Sequence, residues 1–482
     1  MYESLVQVAY KSVQFKVAPA LATDWNESKD GKTWTFHIRK GVTFWNGDPV
    51  TAQSFVDEMQ RILTPKTKSP FETYFDPLIV GSTAYHNGKA NKISGLTTPD
   101  KYTLVVHLTQ PEPFFLQVVS QFWHAVDMKF IQKVGDTAFD STQAMGTGPF
   151  MLKSKTPNQY VLVRNPHYWQ KDRYGNRLPY LNQVTITETK NPQLIGMHFQ
   201  EGQTALLGNS TVGIPPAVYP QFISDPNLKK DLVTRALNAV RYLGMNVKTK
   251  PFDNVLVRRA LEYAINKQKV LQLVNGRGTI ADQPLPPSID GRVPNLSQYV
   301  DYKYDPAKAK QLLKQAGFAK GFTTTLWYEN TPTQQKIAES IQNDLKQIGV
   351  TVNLRPVEWD TLLNLNASGK TPLFLLGWIQ DFPDPSDFLN TLFNTNEQPQ
   401  NNSTLYSNKQ VDAWLNKAQF DTNQVERMKL YRQVTIQVMK DAPWVPLFYD
   451  TAVYAVQPWV KNYFLNPNYP FDPLQYIWVA PH

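Results

Sequence analysis

From Asp305 to Leu376 the chain alternates two hydrophobic periods, and that alternation limits the folds open to it. Asp305 before Pro306 reads as an N-cap and first turn, and Leu312 and Leu313 give that helix an apolar face ending before Gly317. Residues 332–348 place Ile337, Ile341, Leu345 and Ile348 along one side of an amphipathic helix. Residues 350–354 and 373–376 predict strands, the second an apolar run of strand length. Helix and strand in turn predict an α/β unit. Val257, Leu261 and Ile265 predict a further helix within 254–267, and two more fit 408–419 and 424–440.

The first third is built differently. Residues 33–39 alternate strictly, as a half-buried strand does, between turns at Asp30-Gly31 and Asn46-Gly47. Thr51 is a good N-cap for a helix through Phe55, Met59 and Ile62. Residues 102–108, 150–153 and 160–164 predict more strands, and the tail from Trp444 is again rich in strand pattern and proline. A chain of 482 residues exceeds one ordinary core, so two or three domains are expected. An end that resembles the beginning suggests two lobes, with the chain passing between them more than once.

Several chemistries lack their residues. Without cysteine there are no disulfides, thiolate zinc sites or thiol nucleophiles, a composition compatible with export. The net charge is +9, but lysine and arginine are scattered, so nucleic acid is not an expected partner. The seven histidines form no H-x3-H or HExxH pair, and His37 and His107 read as structural residues of strands. No G-x-S-x-G elbow exists, and Gly-Lys-Thr at 31–33 and at 369–371 lacks the rest of a phosphate loop. No segment approaches the roughly 20 apolar residues of a membrane span. The first residues lack a signal-peptide plan. The expectation is a binding protein rather than an enzyme, with no cofactor and no metal.

The most informative segment is Leu373 to Asn390. An apolar run ends at Gly377-Trp378, and the carboxylate of Asp381 follows in a loop stiffened by Pro383 and Pro385. An acid beside a large aromatic surface suits capture of an ammonium group. It equally suits a helix start near Ser386, where an acid caps the first turn. Asp381 and Asp384 together could also serve acid–base chemistry, although nothing in the sequence marks either as perturbed.

Taken in order, the segments match a family. They are Tyr2-Glu-Ser-Leu-Val6, Pro19-Ala-Leu-Ala-Thr-Asp-Trp25, Asp30-Gly-Lys-Thr-Trp-Thr-Phe-His-Ile-Arg39 and Phe44-Trp-Asn-Gly-Asp-Pro-Val-Thr-Ala52. Gly146-Thr-Gly-Pro-Phe150, Arg164-Asn-Pro-His-Tyr-Trp169, Pro251 to Leu261, Ala307 to Gly317 and Gly377 to Asn390 complete the series. The chain resembles, almost end to end, the extracytoplasmic solute-binding proteins of oligopeptide and dipeptide ABC importers. The resemblance implies an α/β fold of two lobes hinged over a cleft, the periplasmic-binding-protein-like class with an inserted, sheet-containing subdomain. It implies that subdomain at 1–145, a main subdomain at 146–240 and 457–482, and a second lobe at 241–456.

It also implies the site. Asp381 pairs with the α-ammonium of a peptide, Gly377 and Ile379 offer a strand edge to its main chain, Trp359 and Trp378 wall side-chain pockets, and Phe71 adds a contact. The implied partners are an oligopeptide and a membrane permease, for a monomer held outside the cytoplasmic membrane, periplasmic or lipid-anchored. The alternative on the same scaffold is an oligosaccharide or another non-peptide solute, with Asp381 accepting hydroxyls. Relatives carry residues ahead of Tyr2 that include the export signal and the first strand of the main subdomain; either the chain is trimmed or mis-started, or that strand is absent and a sheet edge is left unpaired. One oligopeptide pattern has an Arg two residues before the Gly of Gly-Trp, used for the peptide carboxylate; here that position is Leu375.

Overall fold

Along Thr33–Ile38 the side chains of Trp34, Phe36 and Ile38 are buried while their neighbours face outward, the period-two pattern of a sheet with one wet face. The structure, a computed structural model, describes residues 1–12, 15–189, 191–208, 213–468 and 474–481. Thr33–Ile38 lies in a four-stranded antiparallel sheet between Ala22–Glu27 and Thr103–His107, with Leu96–Asp100 at the edge. The helix Ala52–Leu63, capped by Thr51, buries Phe55, Met59 and Ile62. Gly31 and Gly47 both take positive φ, as the two expected turns require. The His37 ring bonds Asp24, and His107 Nδ1 lies 3.2 Å from Thr33 Oγ1, so both histidines are satisfied within the sheet. Phe150–Thr156, Gln159–Arg164 and Gln183–Thr187 form a separate antiparallel sheet.

The chain forms two compact units and passes between them repeatedly. Unit one comprises Met1–Ser210, Asp225–Val233 and Tyr454–His482, and unit two Thr211–Ser224 and Thr234–Val453.

Unit two carries the α/β alternation. Its main elements are strand β1 (Leu232–Met245, its first residues in unit one), helix α1 (Val255–Ala264), α2 (Pro306–Gln315), β2 (Phe322–Glu329), α3 (Pro332–Gln347), β3 (Val350–Val357), α4 (Trp359–Ala367), β4 (Leu373–Ile379), α5 (Pro385–Phe393), α6 (Lys409–Phe420), α7 (Gln424–Asp441) and β5 (Trp444–Val456). The strand order is β5-β1-β4-β2-β3. β2, β3 and β4 run parallel, and β1 is antiparallel to β4 in the register Ala239↔Ile379 to Met245↔Leu373.

Alternation along β1 and β4 sends side chains to two different cores. Leu243, Met245, Leu373 and Leu375 pack with residues of α1, α2 and α3. Val240, Tyr242, Phe374 and Trp378 pack with α5, α6 and α7, where the Tyr242 ring stacks on Trp444. The sheet is therefore covered on both faces, as parallel strands require. Leu375 sits in the first core, and truncation to Ala would cost about 2–5 kcal/mol.

Two element boundaries depart from the sequence expectation. The helix expected over 254–267 ends at Ala264, because Ile265 turns extended and Asn266 caps a new short helix, Lys267–Leu273, by accepting from Lys269 N at 3.1 Å. The strand expected to stop at Gly377-Trp378 continues to Ile379, since β1 pairs with it throughout.

Candidate functional site

The parallel strands β2, β3 and β4 end at Glu329, Val357 and Ile379. In open α/β sheets ligands bind outside such carboxyl ends. Trp359 opens α4 immediately after β3 and is 43% exposed, with Leu363 one turn further on the same face. Ile379, the last residue of β4, is 41% exposed, and Asp381 is exposed just beyond it. Large apolar side chains are thus left in water where the fold places ligands, the reverse of ordinary burial.

β4 has one open edge. β1 pairs with all seven of its residues, but β2 pairs only with Leu373 and Phe374. From Leu375 to Ile379 no strand pairs with the other side among the described residues. The bond from Gln380 N to Asn238 O, 2.9 Å, sets the phase of the β1–β4 ladder. Hydrogen-bonded and non-bonded pairs alternate along an antiparallel ladder. Trp378 and Leu376 therefore bond to β1, while the N–H and C=O of Gly377 and Ile379 face the open edge.

The loop after β4 is fixed by two buried acids. Asp384 is the N-cap of α5, accepting from Ser386 N at 2.9 Å, with Pro385 at the first helical position. Its carboxylate also receives a two-pronged bond from buried Arg427 of α7, at 2.6 and 2.8 Å. The helix starts where expected, near Ser386, the acid that caps it is Asp384 and not Asp381, and Asp384 is held in a structural ion pair. Asp387, in the first turn of α5, accepts from the Trp378 indole Nε1 and from the Asp381 backbone N–H, each at 3.1 Å. Burial first, then the nearby Asp381 carboxylate, pushes the Asp387 carboxyl well above its ordinary pKa. One buried oxygen therefore ties the Trp378 ring and the Asp381 backbone into one unit.

Five of the six residues named from the resemblance belong to unit two: Gly377, Trp378 and Ile379 on β4, Asp381 just after it, and Trp359 at the start of α4. Phe71 belongs to unit one, 37% exposed and stacked on Phe122 at 4.7 Å. Sequence reasoning missed Asp387, which reads as an ordinary first-turn acid. It also missed Arg241, whose only signal is a cation within the mostly apolar run from Ala239 to Met245. Among the described residues no cluster of His, Asp or Glu could hold a metal ion, and no helix is long and apolar enough to cross a membrane.

A covered parallel sheet in one of two units, with an open strand edge and exposed apolar side chains at its carboxyl end, defines the class: a two-lobed α/β fold of the periplasmic-binding type, built to hold a solute. The profile of the bacterial extracellular solute-binding proteins, family 5, matches residues 16–400, and the chain belongs to that family. Haem-binding protein A of Haemophilus influenzae is 31% identical over 96% of this chain and 85% of its own length. The dipeptide-binding protein of Escherichia coli is 28% identical over 97% of this chain and 87% of its own. Among solved structures, the periplasmic binding protein DppA of Helicobacter pylori in complex with the peptide STSA superposes with a TM-score of 0.79 at 27% identity, covering 99% of this chain and 92% of that one. The family places the protein outside the cytoplasm.

Proposed function

We propose that this protein is the peptide-capturing component of an ABC importer and hands its ligand to a membrane permease. The observation that carries the reading is the open edge of β4, Gly377 to Ile379, ending two residues before exposed Asp381. An extended peptide adds to such an edge through its main chain, which accepts many sequences. Its α-ammonium then meets the Asp381 carboxylate in a charge-assisted contact. Trp378 and Trp359 supply apolar walls. A haem or a sugar offers no strand to the edge and no ammonium to the acid, so a peptide fits these groups better.

The protein is read as a monomer that binds without turnover, lipid-anchored or periplasmic. Its first lobe is read as an inserted subdomain at 1–145 with a main subdomain at 146–240 and 457–482, and its second lobe as 241–456. Native mass spectrometry of the purified protein, followed by denaturing release of its ligand, is the test. Recovery of short peptides supports the reading, whereas a saccharide or a tetrapyrrole as the stoichiometric ligand would replace it.

A further inference from the structure

Arg241 answers the question left by Leu375. That leucine is in the core, so no cation stands where the family pattern places one for a peptide carboxylate. Arg241 of β1 is directly opposite Gly377 in the ladder, in a pair that makes no backbone bond, the arrangement that brings side chains closest. A Cβ on Gly377 would lie 2.7 Å from both Cδ and Nη1 of Arg241. The φ of Gly377 is not positive, so glycine is needed here for space and not for backbone freedom. The absent side chain lets the arginine lie across β4 from the β1 side, on the way to the open edge.

The guanidinium keeps donors in reserve. Its Nε donates to Asp450 Oδ2 on β5 at 2.7 Å, and no bond from Nη1 or Nη2 is made among the described residues. The side chain is 25% exposed. Burial lowers the pKa of Arg277, and Tyr219 and then Asp450 act against that lowering, so the Asp450 carboxylate is shared between Arg241 and a second guanidinium. Nothing in a strand-pairing role requires a cation at this position.

Building on the peptide reading, we propose that Arg241 is the carboxylate anchor of the site, so that the ligand is a short peptide recognised at both ends. The ligand runs antiparallel to β4, ammonium at Asp381 and carboxylate over Gly377. Four residues separate these points, roughly 13 Å at ~3.3 Å per residue, the length of a peptide of about three or four residues.

The test is calorimetry with free-acid, C-terminally amidated and N-acetylated peptides of two to six residues, on the wild-type protein and on Arg241→Gln. Amidation is expected to weaken wild-type binding about 10- to 100-fold, with the strongest free-acid binding at three or four residues. In Arg241→Gln both the acid and the amide should still bind, and bind alike, a combination that general damage to the fold would not produce. The wild-type comparison stands even if the variant fails to fold. Equal wild-type affinity for acid and amide overturns the inference, and so does an acid preference that survives in Arg241→Gln. If acetylation still weakens binding in either case, the peptide reading itself stands and only Arg241 loses its role. If neither modification matters, both fall.

Discussion

At the scale of single residues, the site depends on where charge is buried and where it is left in water. Asp384 and Arg427 are both buried and satisfy each other with two bonds, so they hold α5 against α7 and take no ligand. Asp387 has no such cation. It accepts from an indole and a backbone N–H while facing the carboxylates of Asp381 and Asp384. A carboxyl whose folded pKa lies above its unfolded value stabilises the fold below the unfolded value, and that contribution is lost as pH rises through the folded value. Asp387→Asn keeps an acceptor oxygen and removes the titration. Thermal melts from pH 4 to 8 should show the variant gaining stability relative to wild type as pH rises. A difference that is constant with pH, or that shrinks, would contradict the burial of an uncompensated acid.

At the scale of elements, β4 carries the account. Its two edges have different tasks, one closing the sheet through β1 and one left open beyond Phe374. Proline removes a single N–H and is tolerated where that group faces away from the ladder. Ile379→Pro deletes an N–H on the open edge, so peptide affinity should fall about 3- to 10-fold while stability changes by less than about 1 kcal/mol. Leu376→Pro deletes a donor to β1 and should destabilise the unit instead. Titration calorimetry with denaturant melts on both variants decides; equal destabilisation by the two would mean the edge is not open.

Much of this element was readable in advance. The apolar run Leu373–Leu376, the punctuation at Gly377 and the proline-stiffened loop are local patterns with local causes. The end of the strand was not readable, because pairing with β1, distant in sequence, extends it to Ile379. The acid–base reading of Asp381 with Asp384 was open for the same reason, since the arginine that holds Asp384 in an ion pair lies on α7. Arg241 meets Gly377 only through the register of two strands more than a hundred residues apart, and no period in the sequence encodes that register.

At the scale of the whole molecule, the family match and the site agree on a solute-binding protein, and the alternation of helix and strand in unit two explains why the site sits where it does. The crossovers α3 and α4 bring three parallel strands to a common carboxyl end, and the exposed groups gather there. The central claim is that this end holds a peptide by its ammonium group at Asp381. Its most direct test is calorimetry of one bound peptide against its N-acetylated form. Acetylation should weaken binding by about 2–5 kcal/mol, the range for losing one partner of a charge-assisted contact, and Asp381→Asn should abolish the difference between the two forms. Equal affinity of the free and acetylated peptides for the wild-type protein would contradict the account.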